Sequence, residues 1–183
     1  MNVLCIGNGA SLPQYIEYIV FNNYDLRIGT KLQMTQQDYT LDYIAAADEP
    51  PVKYIIENHR EWCERTITRP LWRDKHSIES GVEMLTPQDF QHGDVTGTLQ
   101  IKYAIQLGAT AITTIAMDSL ASSWKKNTQW SWSSTIDSQI MKPWDIDRKQ
   151  QKLLKTWSDQ IRQIERQHPE IEWKHRHSGN INE

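Results

Sequence analysis

The sequence predicts an α/β domain whose mainly parallel sheet is covered by helices on both faces. Three observations carry that expectation. Short apolar runs, residues 3–6 and 111–116, lack the polar alternation of a half-exposed strand, as strands buried on both faces do. Segments with helical spacing separate the runs, and glycine or proline marks most of the junctions. A chain of 183 residues fits one domain, taken as residues 1–183.

In order, residues 2–6 form a first strand ending at the turn Gly7-Asn8-Gly9-Ala10-Ser11. Leu12, Ile16, Ile19 and Val20 then recur at helical spacing. Residues 24–30 read as a second strand and 41–47 as a third, closed by Asp48-Glu49-Pro50-Pro51. The prolines start a helix over 52–65, after which 66–72 is expected to be a strand and 81–85 a short one. Between Gly93 and Gly108, Leu99, Ile101, Ala104, Ile105 and Leu107 predict a helix over 94–107 that feeds the strand 111–117. Residues 119–144 are rich in Ser, Thr, Trp and Lys without a sustained period and read as a lid or loop. The segment 145–183 supplies a long amphipathic helix over 145–167, an edge strand over 172–177 and a short tail.

A net charge of −3 provides no global basic field for nucleic acid or an anionic membrane. Two cysteines, Cys5 and Cys63, give neither a disulfide framework nor a metal-binding pair, which fits a reducing compartment. The chain opens on a strand and contains no run of about 18 apolar residues, so neither a signal peptide nor a membrane span is expected. The expected location is cytoplasmic.

The turn after the first strand is the leading site candidate. Small residues at Gly7, Gly9 and Ser11, with Asn8 between them, would let backbone N–H groups approach a phosphate. A dinucleotide fingerprint would continue to a third glycine, but Leu12-Pro13 follow, so a dinucleotide is disfavoured. The alternative is a tight strand-to-helix turn capped by Ser11. Asp118 ends the strand 111–117, where a carboxylate would act as a general base or hold Mg²⁺ or Mn²⁺ on a diphosphate, or would simply cap the following turn. Asp48 ends another strand and would converge on the same crevice. Asp145-Ile146-Asp147 has the D-x-D pattern of metal-dependent glycosyltransferases, yet its place at a helix start favours acidic residues in any case. Trp124, Trp130, Trp132 and Trp144 offer flat rings for sugars or bases, or for packing the loop onto the sheet. Lys125, Lys126 and Lys142 add positive charge there. His168, His175 and His177 gather near the C-terminus as metal ligands, a base, or exposed edge positions.

The succession Gly7-Asn8-Gly9-Ala10-Ser11, Arg27-Ile28-Gly29-Thr30, Thr96-Gly97 and Ala116-Met117-Asp118-Ser119 resembles the bacterial family 42 sialyltransferases. It is also similar to a related group that includes archaeal-type hydroxymethylpterin pyrophosphokinases. The resemblance spans about residues 1–120, and only its first and last motifs are specific. It implies a modified Rossmann-like sheet holding a nucleotide at the carboxyl ends of the strands. It would set Asn8 and Ser11 against the phosphates or ribose, Thr96 and Gly97 on the nucleotide's other side, and Asp118 toward the transferred group. The sialyltransferase base is a lid histidine, and 119–144 contains none. The second-strand asparagine is replaced by Gly29-Thr30.

The expected activity is therefore transfer of a sugar from a nucleotide-sugar to a hydroxyl acceptor, either a carbohydrate or a modified nucleobase in DNA. Trp124, Lys125, Trp130, Trp132 and Asp48 would line the substrate side. Two alternatives remain at this point: Mg-dependent diphosphate transfer to a small alcohol, and non-catalytic sequestration of a nucleotide. A homo-oligomer is compatible with the sequence, and a membrane partner is not expected.

Overall fold

A computed structural model describes residues 1–9, 11–117 and 148–176. Its centre is one six-stranded sheet, all parallel, in the order β4-β3-β2-β1-β5-β6. The strands are β1 (Asn2–Ile6), β2 (Leu26–Thr30), β3 (Tyr43–Ala46), β4 (Thr66–Thr68), β5 (Ala111–Ile115) and β6 (Glu172–Arg176). The chain builds outward from β1 to β4, then returns to lay β5 and β6 on the other side of β1. The direction of building therefore reverses between β1 and β5, the place where open α/β sheets form ligand crevices.

Alternation along the central strands sorts their side chains into two cores. Val3, Cys5, Ile28, Ala45 and Ile112 join Leu99, Ile101 and Ala104 of α4 (Thr96–Gln106) and Ile161 and Ile164 of α5 (Arg148–Gln167). Leu4, Ile6, Ile44 and Ile115 face the other way, onto Ile19 of α1 (Ile16–Phe21) and Val52 and Ile55 of α2 (Glu49–Asn58). Each of these strand residues thus finds a helix on its own side. The fully buried Leu and Ile side chains each contribute about 1.5–3 kcal/mol of burial free energy. The expected parallel α/β sheet with helices on both faces is what the chain adopts.

Several boundaries differ from expectation for identifiable reasons. The segment after the first turn is a 3-10 turn over Leu12–Tyr15 before six α-helical residues, with Pro13 in its first positions. The helix expected over 52–65 begins at the prolines but stops at Asn58, because His59 leaves helical geometry and Arg60–Arg65 winds as a 3-10 helix. Residues 66–72 are not one strand. Only Thr66–Thr68 pairs, and Pro70 opens an eleven-residue helix, α3 (Pro70–Ser80), which proline at the first turn favours and which the apolar pair Leu71-Trp72 concealed. That helix ends at Gly81 in the left-handed region, φ +63°. The expected strand over 81–85 reduces to a single parallel bridge between Leu85 and Ile67. Among the described residues, no helix is long and apolar enough to cross a membrane.

Candidate functional site

At the carboxyl end of β1 the glycine turn is spent on packing. The Gly7 N–H donates to the Ile115 carbonyl at 2.7 Å, and the Gly9 N–H donates to the Ala116 carbonyl at 2.9 Å. These bonds carry the β1–β5 pairing past its last ladder residues, Ile6 and Ile115. A Cβ on Gly7 would lie 2.5 Å from the Ala116 oxygen, so only glycine permits this approach. The two amides that a phosphate would have used are therefore committed to β5. Asn8 and Ser11 are buried in the same turn, and Ser11 makes no side-chain cap bond to the helix it precedes.

A closed circuit of contacts runs from this turn around the carboxyl edge of the sheet. Gln33 Nε2 donates to the Gly7 carbonyl at 2.8 Å, while its Oε1 accepts the Thr30 N–H at 2.8 Å. Between them, Lys31 donates its N–H to the Ala45 carbonyl at 2.7 Å. Its ammonium lies 3.6 Å from Asp48 Oδ2, with the side chains 11% and 37% exposed. Ala47, next to Asp48, donates its N–H to Thr96 Oγ1 at 3.3 Å and accepts Trp72 Nε1–H at 3.0 Å. Gly97 then backs onto the end of β5, where an added Cβ would lie 3.5 Å from Met117 Sδ. Met117 in turn closes on Gly7, 2.9 Å from the position of an added Cβ. Gly7, Asn8, Gly9, Ser11, Asp48, Thr96 and Gly97, named from three distant stretches of sequence, thus lie on or beside one circuit.

The circuit is held rigid from beneath. Gln100 projects from α4, fully buried, and its Nε2 donates to the Ile6 carbonyl at 3.0 Å and to the Ile28 carbonyl at 2.9 Å. Thr30 Oγ1 adds a 2.6 Å bond to the Ile6 carbonyl. Where the β1–β2 ladder ends, side chains take over its carbonyls, as burial demands. The start of α4 is fixed by a buried ion pair, Lys102 Nζ to Asp94 Oδ2 at 2.9 Å. Arg69 Nη2 holds the Asp94 carbonyl at 2.9 Å, and Thr98 Oγ1 accepts the Val95 N–H at 2.8 Å, one half of a capping box.

Two residues of this edge occupy the left-handed region without being glycine: Lys31 and Ala116, each with φ +53°. Such backbone is strained for these side chains and collects at functional sites. One directly follows β2 and the other directly follows β5. Beside the circuit, Glu49 opens α2 and takes a 2.7 Å bond from Lys75, which holds its carboxyl below the usual range. Burial pushes the Cys5 thiol far up and so leaves it inert within β1.

The C-terminal histidines are engaged elsewhere. His175 Nδ1 lies 2.7 Å from Thr114 Oγ1, and its Nε2 lies 3.4 Å from Glu165 Oε2. His168 Nδ1 lies 3.0 Å from Glu170 Oε1. Among the described residues, no group of three His, Cys, Asp or Glu side chains gathers as a metal would require. Asp118, Trp124, Lys125, Lys126, Trp130, Trp132, Lys142, Trp144, Asp145, Asp147, His177 and the tail 178–183 lie outside the described residues.

Reading the sequence missed Lys31, Gln33 and Gln100. The signal was present in part: Lys31 follows a buried strand at its carboxyl end, and Gln100 interrupts an otherwise apolar stretch between Leu99 and Ile101. Compared with known proteins, the chain matches no family, no curated protein and no solved structure.

Proposed function

We propose that the protein is a nucleotide-dependent transferase that moves a sugar from a nucleotide-sugar to a hydroxyl acceptor, a carbohydrate or a modified nucleobase. The observation that supports this reading is the circuit joining Gly7, Asp48, Thr96-Gly97 and the strand end that leads into Asp118. It lies at the carboxyl edge of a parallel sheet, across the reversal of strand order, where α/β proteins hold nucleotides. The dominant demand in such a transfer is to stabilise charge on the departing nucleotide. Lys31 and the Thr96 hydroxyl are the groups of the circuit suited to that demand. Gly7 and Gly9 serve a different purpose, holding β1 against β5 so that the edge keeps its shape. Asp118 is the candidate base toward the acceptor, with Trp124, Lys125, Trp130 and Trp132 on the acceptor side.

The test is a thermal-shift panel of nucleoside di- and triphosphates and nucleotide-sugars, followed by assay of nucleotide release. Stabilisation by a nucleotide-sugar, with slow hydrolysis that Asp118→Asn lowers while affinity is kept, is the expected result. Turnover of ATP with Mg²⁺ and a small alcohol would replace sugar transfer by diphosphate transfer. Stabilisation with no turnover would make the protein a nucleotide-sequestering one. If no nucleotide shifts the melting temperature, nucleotide binding itself is wrong.

A further inference from the structure

We infer that the cavity at the amino ends of β1, β5 and β6 is a binding site for one neutral sugar ring, a hexose with several adjacent hydroxyls. It lies between the first residues of these strands, Asn2, Ala111 and Glu172, and the loop that leaves α1 at Asn22 and Asn23. That is the opposite edge of the sheet from the glycine turn, so the site is separate from the nucleotide circuit and does not depend on it. Its volume of about 210 Å³ is below the roughly 300–1,000 Å³ of sites for drug-sized ligands, which limits the occupant to a small molecule.

The walls select among small molecules. On β5, Thr113 lies in register with Leu4 of β1 and Lys174 of β6, on the face that elsewhere carries Leu4, Ile6 and Ile115. Thr113 is 3% exposed, so a hydroxyl is set into an apolar row of the sheet. The Tyr24 hydroxyl bonds it and lies 2.7 Å from the Tyr18 hydroxyl. Burial pushes the Tyr24 hydroxyl up to about 12, so at neutral pH it keeps its proton and serves as donor and acceptor. Apolar side chains of the same shape would serve stability as well as this row of three hydroxyls, which gives a ligand as its reason. Beside them the Asn2 and Asn23 side chains line the cavity and have no hydrogen-bond partner among the described residues. A carboxamide sets an acceptor next to two donors, the pattern that neighbouring sugar hydroxyls complement.

Charge and ring geometry narrow the class further. Lys174 Nζ is held at 2.7 Å by Glu172 Oε1, so the charge on this wall cancels and favours neither an acidic nor an amino sugar. A planar base needs a flat slot. The Tyr18 and Tyr24 rings are instead tilted 54° to each other with centroids 6.5 Å apart, and the Arg176 guanidinium already lies 4.4 Å from the Tyr18 centroid. A sugar ring needs no slot: its hydroxyls meet the polar wall and its C–H face rests on a tyrosine.

The experiment titrates glucose, galactose and mannose, with glucuronate, glucosamine and uridine as comparisons, into the isotope-labelled full chain and reads backbone amide shifts. At least one neutral hexose is expected to bind with a Kd on the order of 1 mM. It should move the amides of residues 22–24, 111–113 and 172–174 and leave those of 7–9 and 96–97 in place. Asn23→Ala, at an exposed side chain, and Tyr24→Phe, which keeps the ring, should each weaken that binding about three- to tenfold, the loss of one hydrogen bond. Where Tyr24→Phe lowers the melting temperature, Asn23→Ala alone decides. No binding of any neutral hexose, shifts confined to the carboxyl edge, or an unchanged Kd in Asn23→Ala overturns the inference. Tighter binding of uridine, glucuronate or glucosamine in the cavity than of every neutral hexose overturns it as well. Each of these outcomes leaves nucleotide binding to be read separately by the thermal-shift panel.

Discussion

Two strand ends at the same edge of the sheet solve opposite problems. After β1, a turn with two glycines brings the chain so close to β5 that the Gly7 and Gly9 N–H groups are absorbed by the Ile115 and Ala116 carbonyls. After β2, no glycine turn exists, yet a strained lysine directs its ammonium to Asp48 beside the first turn of α4. The turn that looks like a ligand site by its composition works as a joint. The segment without a motif carries the charge. Small residues report where backbones must approach each other, and whether the second party is a ligand or another strand is decided only by the fold.

The sharpest way to break this contrast is Gly7→Ala. Its Cβ would meet the Ala116 carbonyl oxygen at 2.5 Å, and backbone cannot retreat as a flexible side chain can. A loss of about 3 kcal/mol is expected, the upper range for overpacking a close contact. Urea unfolding followed by tryptophan fluorescence measures it. A variant of near-wild-type stability would mean that the joint is looser than described, and would restore the turn as a ligand cradle.

Gln100→Leu tests the support that both strand ends share. It removes the donor to the Ile6 and Ile28 carbonyls while keeping volume, so about 2 kcal/mol should be lost. Hydrogen exchange should rise at the ends of β1 and β2 and stay unchanged in β6. Uniform loss of protection would argue that Gln100 serves the core as a whole.

The smallest effect belongs to the exposed pair beside Asp48. Lys75 holds the Glu49 carboxyl below its ordinary range, so the pair stabilises the fold above the unfolded carboxylate pKa and ceases to do so as pH falls through the lowered value. The melting-temperature difference between wild type and Lys75→Met should therefore shrink from pH 7 toward pH 3. A difference that grows on acidification would reverse the sign of this linkage.

The fold was legible because it rests on periodicity and punctuation, both written locally. β1, β2, β3, β5 and β6 declared themselves as apolar or bounded runs, and α4 by its spacing between glycines. The stretch 66–80 misled because Leu71 and Trp72 extend the apolar run of β4 past the point where Pro70 has already begun a helix. At the site, residues with small or acidic side chains were named from the sequence because their positions follow from strand ends. Lys31 and Gln100 were not, because their roles depend on partners across the fold: Asp48 for one, and carbonyls of β1 and β2 for the other. No local window contains both halves of such a contact.

The Gln100 side chain also bears on the order in which the protein comes into being. It joins residues separated by 94 and 72 positions in the chain, and the β1 and β2 carbonyls it serves are made long before it. During synthesis those strand ends must wait, solvated, until α4 is complete and packs across the sheet. Contacts of such separation form late in folding. The edge that holds the candidate site is thus expected to be among the last parts to acquire its shape, and a nascent chain stopped before residue 100 would present the glycine turn without the site around it.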